Sequence, residues 1–272
     1  MGSTTSTTNA LITFDSATPS VNSGVIAITG VTGTLLDIDY RSASGVLYGL
    51  SSSGGIYRIN ATTGAAVLAS TLSVASLSPG AQYGIDFNAT VDRLRVVSDG
   101  GQNLRVNVDT GVAIVDTPLN KTGVVGAAYT NNFAGATSTL LYTLSYSGTS
   151  FTLNTQNPPN NGTTNTVGST GINSLSSLVG FVISGQTGTA FVASNASSGI
   201  AGNVFILSTI DLTTGNVNNF NPVIGNAVGF QVRGLADNVG TAVPEPASVA
   251  MLTLSLVGAG LAARRRSART NG

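Results

Sequence analysis

The chain has 272 residues, of which 42% are hydrophobic and only 8% are charged. It can therefore bury a core, but Ser, Thr, Asn and Gly must supply most of its polar surface, since an ordinary soluble protein is about 25% charged. It has no cysteine and no histidine, which excludes disulfides, thiolate or imidazole metal sites, and Ser-His-Asp or Cys-His catalysis. We therefore expect a non-catalytic protein without a cofactor.

The charges are unevenly distributed. Residues 1–243 carry ten acidic and seven basic residues, a net charge of −3, and the other four arginines follow residue 263. Because phosphate contacts need clustered Lys and Arg, nucleic acid is not an expected partner. No charged residue occurs in residues 122–210, and weak repulsion between neighbouring molecules permits self-association.

The first nine residues carry no signal for an ordered element. Residues 1–5 (MGSTT) have neither the basic start nor the apolar run of a secretory signal peptide. We expect residues 1–9 to be a disordered leader or remnant, and the native start to be truncated or replaced.

Residues 10–240 predict an all-β domain of repeated four-stranded units. Short alternating or apolar runs are separated by turns such as residues 62–64 (TTG), 109–111 (DTG) and 213–215 (TTG). Units begin near Leu36 and near Gly84, Gly126 and Gly180, and each spans about 40–55 residues. That period and strand number are typical of β-propeller blades.

The two ends of this region complement each other. Residues 232–236 (VRGLA) resemble the first strand of a blade, whereas residues 10–14 (ALITF) and 24–28 (GVIAI) resemble later strands. Joined, they predict a fifth blade that closes the propeller and removes an exposed sheet edge. A sixth blade within residues 128–182, or a β-sandwich or solenoid, remains an alternative.

Eight of the seventeen charged residues of positions 1–243 lie within residues 86–116. Guanidinium groups there could bind a carboxylate or sulfate, and carboxylate and amide oxygens could bind Ca²⁺. The ligand-binding candidates are Arg93, Arg95, Arg105, Asp86, Asn88 and Asp92, and the weak metal candidates are Asp86, Asp92 and Asp99. The spacing is not that of an EF-hand, and the favoured alternative is that these charges pair with one another across strands.

Asp37 and Asp86 are predicted to occupy the same place in two repeats, on first strands that line the central channel. Two such carboxylates could carry out acid–base chemistry or hold a cation. The geometry of the repeat explains them equally well, and no residue is assigned a catalytic role.

A proline-containing break and an apolar stretch end the chain. Pro244, Glu245 and Pro246 precede the uncharged residues 247–263, which are followed by Arg264, Arg265 and Arg266. A helix of that length would span roughly 26 Å, slightly less than the ~30 Å hydrocarbon core of a bilayer. We therefore predict a transmembrane helix at 247–263 with its arginines on the cytoplasmic side, within a tail of residues 241–272.

This order of features resembles the PEP-CTERM sorting signal. The resemblance implies a Gram-negative source, export, transient anchoring in the inner membrane, and cleavage by an exosortase near residues 244–246. It also implies delivery to the cell surface or the extracellular matrix. The expected partners are thus the exosortase and the inner membrane.

A second resemblance covers residues 10–240. Residues 84–88 (GIDFN), 92–98 (DRLRVVS) and 102–107 (QNLRVN) look like the signature of the DUF4394 family, although Ala89 stands where a Pro is expected. The family has no established activity, so this resemblance implies fold and location but no mechanism.

The sequence thus favours an exported, non-catalytic propeller that binds or scaffolds, with extracellular polysaccharide or another copy of itself as partner. A self-assembling structural protein and an enzyme that uses carboxylates and a cation are the alternatives.

Overall fold

A computed structural model describes residues 9–73, 77–78, 81–174, 176–196, 204–226, 230–238 and 249–256. These residues form strands and one short 3-10 helix, Pro159–Asn161. The strands are β1 (Asn9–Asp15), β2 (Ile26–Ala27), β3 (Leu35–Arg41), β4 (Val46–Ser51), β5 (Gly55–Ile59), β6 (Ala66–Thr71), β7 (Tyr83–Asn88), β8 (Arg93–Ser98), β9 (Asn103–Val106), β10 (Ala113–Val115), β11 (Val124–Tyr129), β12 (Leu141–Ser147), β13 (Ser150–Gln156), β14 (Thr164–Asn173), β15 (Val179–Ile183), β16 (Ala190–Ala196), β17 (Val204–Ile210), β18 (Val217–Asn226), β19 (Phe230–Asp237) and β20 (Val249–Leu256).

Four blades are each formed by one continuous segment of chain. The first blade is β3–β6, the second is β7–β10, the third is β11–β14 and the fourth is β15–β18, and each pairs its strands in sequence order. All these pairings are antiparallel. The all-β propeller prediction is confirmed, and the region suspected of hiding another blade supplies β12–β14 of the third.

The first strands of the four blades and strand β19 contact one another in a ring. Strand β3 contacts β7, β7 contacts β11, β11 contacts β15, and β15 contacts β19, which returns to β3. Every residue of β11 and of β15 is buried, because a first strand is covered by both neighbouring blades. Such strands therefore contain near-continuous apolar or small residues rather than an alternating pattern.

The hydrophobic core is divided among the interfaces between neighbouring sheets. Between the first and second blades, the rings of Tyr48 and Phe87 meet edge to face with centroids 5.5 Å apart. On the other side of the first blade, Leu11 of β1 packs with Leu35 and Leu47. The strands from the start of the chain are thereby part of the same ring.

Glycines in turns interlock the outer strands of neighbouring blades. Gly111, in a turn between β9 and β10, has φ +76°, and a Cβ there would lie 2.0 Å from the carbonyl oxygen of Thr71 in the first blade. Gly64 meets Ala27 in the same manner, at 2.1 Å. The predicted Thr-Gly turns therefore also form the contacts between blades.

A further four-stranded sheet, here called the fifth sheet, combines both ends of the chain in the order β19-β20-β1-β2. The predicted first strand and later strands lie in it, but β19 and β1 do not pair directly, since β20 lies between them. Strand β1 begins at Asn9, and the other residues of the predicted leader lie outside the described residues.

The tail differs from its prediction within the described range. Residues 249–256 form strand β20, not part of a helix, and the rest of the predicted helix 247–263 lies outside the described residues. No helix in the described ranges is long and apolar enough to cross a bilayer. The physical reason is that a membrane helix forms because lipid offers its backbone no hydrogen-bond partners. Next to the folded domain, the edges of β19 and β1 offer such partners to the backbone of residues 249–256.

Candidate functional site

Two carboxylates of β3 link the first blade to the second. Asp37 and Asp39 are two residues apart and therefore lie on one face of the strand. Asp37 Oδ2 accepts a hydrogen bond from the amide of Ile85 at 2.8 Å, and Asp39 Oδ2 accepts one from Phe87 at 2.7 Å. Both amides belong to the inner edge of β7, which has no neighbouring strand in its own sheet. The carboxylates thus satisfy backbone donors that no sheet ladder reaches.

Asp86 repeats this arrangement one blade further on. Its Oδ1 accepts the amide of Tyr129 in β11 at 3.0 Å. Asp86 lies opposite Arg95 and Asp39 lies opposite Tyr48, each two pairs before the turn that ends the strand. Asp39, not Asp37, is therefore equivalent to Asp86. The predicted equivalence of Asp37 and Asp86 was wrong by two residues, because the turn between two strands fixes which residues lie opposite each other.

Burial raises the pKa of all three carboxyl groups. The pKa of Asp39 is raised to about 7, because the effect of burial outweighs that of the hydrogen bond from the Phe87 amide. The pKa of Asp37 and that of Asp86 also lie well above the ordinary value, with burial as the main cause. Burial thus favours the neutral, protonated form of all three groups.

A fourth buried acid faces this group from the fifth sheet. Burial raises the pKa of Asp237 at the end of β19, and its charge in turn contributes to the raised pKa of Asp39. Asn132, which accepts a hydrogen bond from Ser42 at 2.7 Å, also bonds to the Asp39 side chain. Sequence reasoning missed Asp39 and Asp237; the i, i+2 spacing from Asp37 could have indicated the former.

Arg95 is enclosed between the second and third blades, with 1% of its surface exposed. Its Nη1 donates to Asn103 Oδ1 and Asp116 Oδ2, each at 2.7 Å, and Nη2 donates to Asn160 Oδ1 at 2.7 Å. Its Nε donates to the hydroxyl of Tyr129 at 3.3 Å. All three guanidinium nitrogens of Arg95 therefore donate hydrogen bonds within the protein.

Arg105 shares the same acid. Its Nε and Nη2 donate to the two carboxylate oxygens of Asp116, each at 2.8 Å. Burial alone would raise the pKa of Asp116, but hydrogen bonds from Arg105 and Arg95 outweigh it and lower that pKa. The cluster of Arg95, Arg105 and Asp116 therefore has a net charge of +1, and the side chain of Arg105 remains 31% exposed.

The other ligand candidates lie at the turn between β7 and β8. Arg93 Nη1 donates to the carbonyl oxygen of Asp92 at 2.8 Å. The Asp92 carboxylate pairs with Arg41, which also binds Asp109 at 2.9 Å. Asn88 caps the turn by accepting the amide of Thr90 at 3.0 Å. These contacts support the favoured alternative of internal pairing at these positions.

The six ligand candidates are therefore distributed over three places rather than gathered at one. Asp86 lies on the inner strand, Arg95 and Arg105 lie between blades, and the remaining three lie at the turn. Within the described ranges, no three acidic side chains are grouped so that they could hold a metal ion. The predicted combination of Asp86, Asp92 and Asp99 does not converge in the structure.

A group of exposed aliphatic side chains marks the outer edge of the first two blades. We call it the rim patch, and its residues are Val67, Leu68, Val112, Ile114 and Val115, each at least half exposed. The two outer strands are connected, since Ser73 donates its amide to the carbonyl of Gly111 at 2.9 Å. The sequence pattern did not single out these five aliphatic residues, because strand residues of this kind are usually buried.

The first comparison concerns the domain itself. A family model described as "Domain of unknown function (DUF4394)" matches residues 10–236. The chain belongs to the DUF4394 family. The comparison with curated proteins finds no match.

A second family model, the PEP-CTERM protein-sorting motif, matches residues 242–266 of this DUF4394 protein. That motif is a signal for exosortase-dependent export with processing at the membrane. The matched range contains all of β20, so the sorting motif and the fifth sheet share residues.

Two of the solved structures that match this DUF4394 chain do so at low identity and low TM-score. One is a crystal structure of the computationally designed Ika8 protein, at 12% identity and a TM-score of 0.37, covering 83% of this chain and 60% of that one. The other is YCF48 from Cyanidioschyzon merolae, at 10% identity and a TM-score of 0.36, covering 86% and 73%. The chain thus spans 60% of the length of the designed protein.

Proposed function

We propose that this protein is a non-catalytic binding or scaffolding module, delivered to the cell surface or extracellular matrix as a five-bladed propeller. The observation that carries the proposal is the internal use of its charged groups. Asp37, Asp39 and Asp86 accept backbone amides of the next blade, and Arg95 and Arg105 share Asp116. The three aspartates join neighbouring blades, and the two arginines are paired within the protein, so these contacts favour a structural role over catalysis for the charged groups.

The fifth sheet supports the blade number in this proposal. It has four strands, as the continuous blades do, and β19 contacts both β15 and β3. We therefore assign it the position between the fourth blade and the first. In this arrangement the ends of the chain close the ring.

The rim patch is the surface that we propose for contact with matrix polysaccharide or with another copy of the protein. Aliphatic side chains that are grouped at one edge and remain in water favour association. Val67 is 64% exposed and Val115 is 65% exposed. A self-assembling structural role is the second candidate, and the same patch supports it.

Binding to matrix polysaccharide would test the proposal directly. The full chain is mixed with polysaccharide purified from biofilm matrix, and the amount that sediments with it is measured. A variant with Val67→Thr and Val115→Thr is expected to sediment several-fold less, with its thermal unfolding unchanged. The control is Val21→Thr, at a position that is 72% exposed outside the rim patch, and it should sediment like the wild type.

Sedimentation velocity of the protein alone separates the two candidate roles. A sedimentation coefficient that increases with protein concentration, and that no longer does so in the Val67→Thr, Val115→Thr variant, would favour self-assembly. If the protein stays monomeric and sediments with no polysaccharide, both forms of the proposal fail. Hydrolysis of a matrix polysaccharide that is lost in Asp86→Asn would instead favour the carboxylate-dependent enzyme.

A further inference from the structure

The sorting tail forms a strand inside the fifth sheet. Strand β20 pairs antiparallel with β1 from Asn9 to Asp15 on one side, and with β19 from Phe230 to Asp237 on the other. At the centre of the strand, Leu252 lies opposite both Ile12 and Leu235. The segment is thus held along its length by two backbone ladders.

This position is the one that the second strand occupies in the other sheets. In each continuous blade the second strand, such as β4 or β8, lies between the first and third. In the fifth sheet β19 is the first strand, β1 the third and β2 the fourth, so β20 fills the second place. The described residues from 9 to 238 contribute no other strand to it.

Withdrawal of β20 would leave a slot bounded by two strand edges. Neighbouring strands lie about 4.8 Å apart, so β19 and β1 would face each other across roughly 9.6 Å, too far for direct hydrogen bonds. Ala10, Leu11 and Ile12 are buried along one side of this slot. Unpaired backbone groups beside buried apolar residues are costly, and they are a ready template for another strand.

We propose that the apolar segment of the sorting tail is an exchangeable blade strand, and that its removal opens a strand-accepting site between β19 and β1. The ligand class is an extended apolar peptide that runs antiparallel to both edges, and the occupant in the intact chain is residues 249–256. The consequence for sorting rests on the proposed export. A segment that crosses lipid must satisfy its backbone within a helix, so it cannot occupy the membrane and the sheet together.

Engineered cysteines test the occupancy, because the chain has no natural cysteine. Residues directly opposite in an antiparallel pair have Cα atoms about 4.5–5.5 Å apart, within the range of a disulfide. Thr13 and Met251 are such a pair. The full chain with Thr13→Cys and Met251→Cys is oxidised in water, and the cross-linked fraction is measured by a peptide map. The control pair is Thr13→Cys with Ala259→Cys, because position 259 follows the last residue of β20 in the sequence.

The first pair is expected to cross-link several-fold more than the control, and the yield should fall when phosphatidylcholine–phosphatidylglycerol vesicles are added before oxidation. Equal yields from the two pairs in water would overturn the proposal, and so would a yield that stays constant while the protein binds vesicles. The arm in water needs no export. Its failure is therefore distinguishable from failure of the proposed function.

Peptide exchange tests the accepting site itself. A protease site is placed within residues 241–247 of the full chain, and after cleavage a labelled peptide of residues 247–258 is added in excess. The peptide should replace the cleaved tail and co-elute with the domain, whereas the same peptide with Leu252→Pro should not, because Pro lacks an amide donor and is excluded from central strands. Equal retention of both peptides, or of neither, would contradict a strand-accepting slot.

Discussion

Arg95 is a cation that the fold removes almost completely from water, and its partners are all within the protein. Removing one member of a buried ion pair usually costs about 3–5 kcal/mol, because the other member loses its compensation. Arg105 still pairs with Asp116, so we expect Arg95→Ala to lower the free energy of unfolding by roughly 3 kcal/mol. Denaturation with urea measures this loss.

Arg93 provides the matched control for this prediction. It lies two residues away on the same strand, is partly exposed, and donates only to backbone carbonyl oxygens. Arg93→Ala should therefore cost less than about 1 kcal/mol. Equal losses for the two alanine variants would mean that the buried cluster does not hold the second and third blades together.

The raised pKa of Asp39 predicts that the protein is less stable at neutral pH than at mildly acidic pH. An unfolded Asp titrates near 3.8, whereas burial raises the pKa of Asp39 in the folded state to about 7. Folding therefore binds a proton between these values, so the free energy of unfolding falls as pH rises through this window. Asp37 and Asp86 act in the same direction.

Urea denaturation at intervals from pH 4 to pH 8 tests this dependence. Asp39→Asn should show a shallower decline than the wild type, because the amide has no proton to lose. In the control, Asp211→Asn, the native pKa of the acid is lowered by hydrogen bonds from Thr213. The contribution of Asp211 to the free energy of unfolding therefore changes only below this pH window. The decline in the free energy of unfolding with pH in Asp211→Asn should match that of the wild type. An unchanged slope in Asp39→Asn would refute the assignment.

The residue types of the candidate site were visible in the sequence, but their partners were not. Arg95 meets Asp116 after 21 residues and Asn160 after 65, and no local pattern links positions that far apart. The prediction that Asp37 and Asp86 occupy equivalent positions in two repeats was wrong for a related reason. Turn length sets which residues face each other across two strands, and only the structure reports that register.

At the scale of the element, the turns predicted from Thr-Gly pairs also have a tertiary role. A Cβ at Gly111 would meet the Thr71 carbonyl oxygen at 2.0 Å, and its φ of +76° already disfavours a side chain. We expect Gly111→Ala to cost more than the ~1–2 kcal/mol of a left-handed residue alone, because the first and second blades must also separate. Thermal and urea unfolding measure the loss.

Gly148→Ala isolates the backbone part of that cost. Gly148 has φ +67°, and no atom lies within 4 Å of a Cβ built there. This variant should lose only about 1–2 kcal/mol. If both variants lost the same amount, the contact between Gly111 and Thr71 would have no role in stability.

The positions of most strands could be predicted from the sequence, whereas the sequence did not show that residues 249–256 form a strand rather than a helix. Alternation and glycine turns act over a few residues, so β5, β8 and β9 appear where they were predicted. Residues 249–256 carry an apolar pattern that suits both a membrane helix and a buried strand. Under the proposed strand exchange, the surroundings of the segment, either lipid or the edges of β19 and β1, decide which of the two forms.

At the scale of the whole molecule, the ring depends on contacts at both sides of the fifth sheet. Asn9 donates its side-chain amide to the carbonyl of Gly33 at 3.0 Å and accepts the amide of Leu35 at 2.8 Å. On the other side, Asn195 accepts the amide of Val232 at 3.2 Å. These side chains link strands that are distant in sequence, and we expect closure of this kind to make the unfolding of separate blades cooperative.

Asn9→Ala should therefore weaken the closure rather than a single blade. It leaves the buried amide of Leu35 without its acceptor, which costs about 1–3 kcal/mol. Hydrogen exchange should become faster in both β1 and β3, while β12 and β13 on the far side of the ring keep their protection. Asn173→Ala, where an exposed side chain accepts only from Ser150, should leave all four strands unchanged. Faster exchange confined to β1 would mean that the fifth sheet opens without disturbing the first blade, and that the ring is not a single cooperative unit.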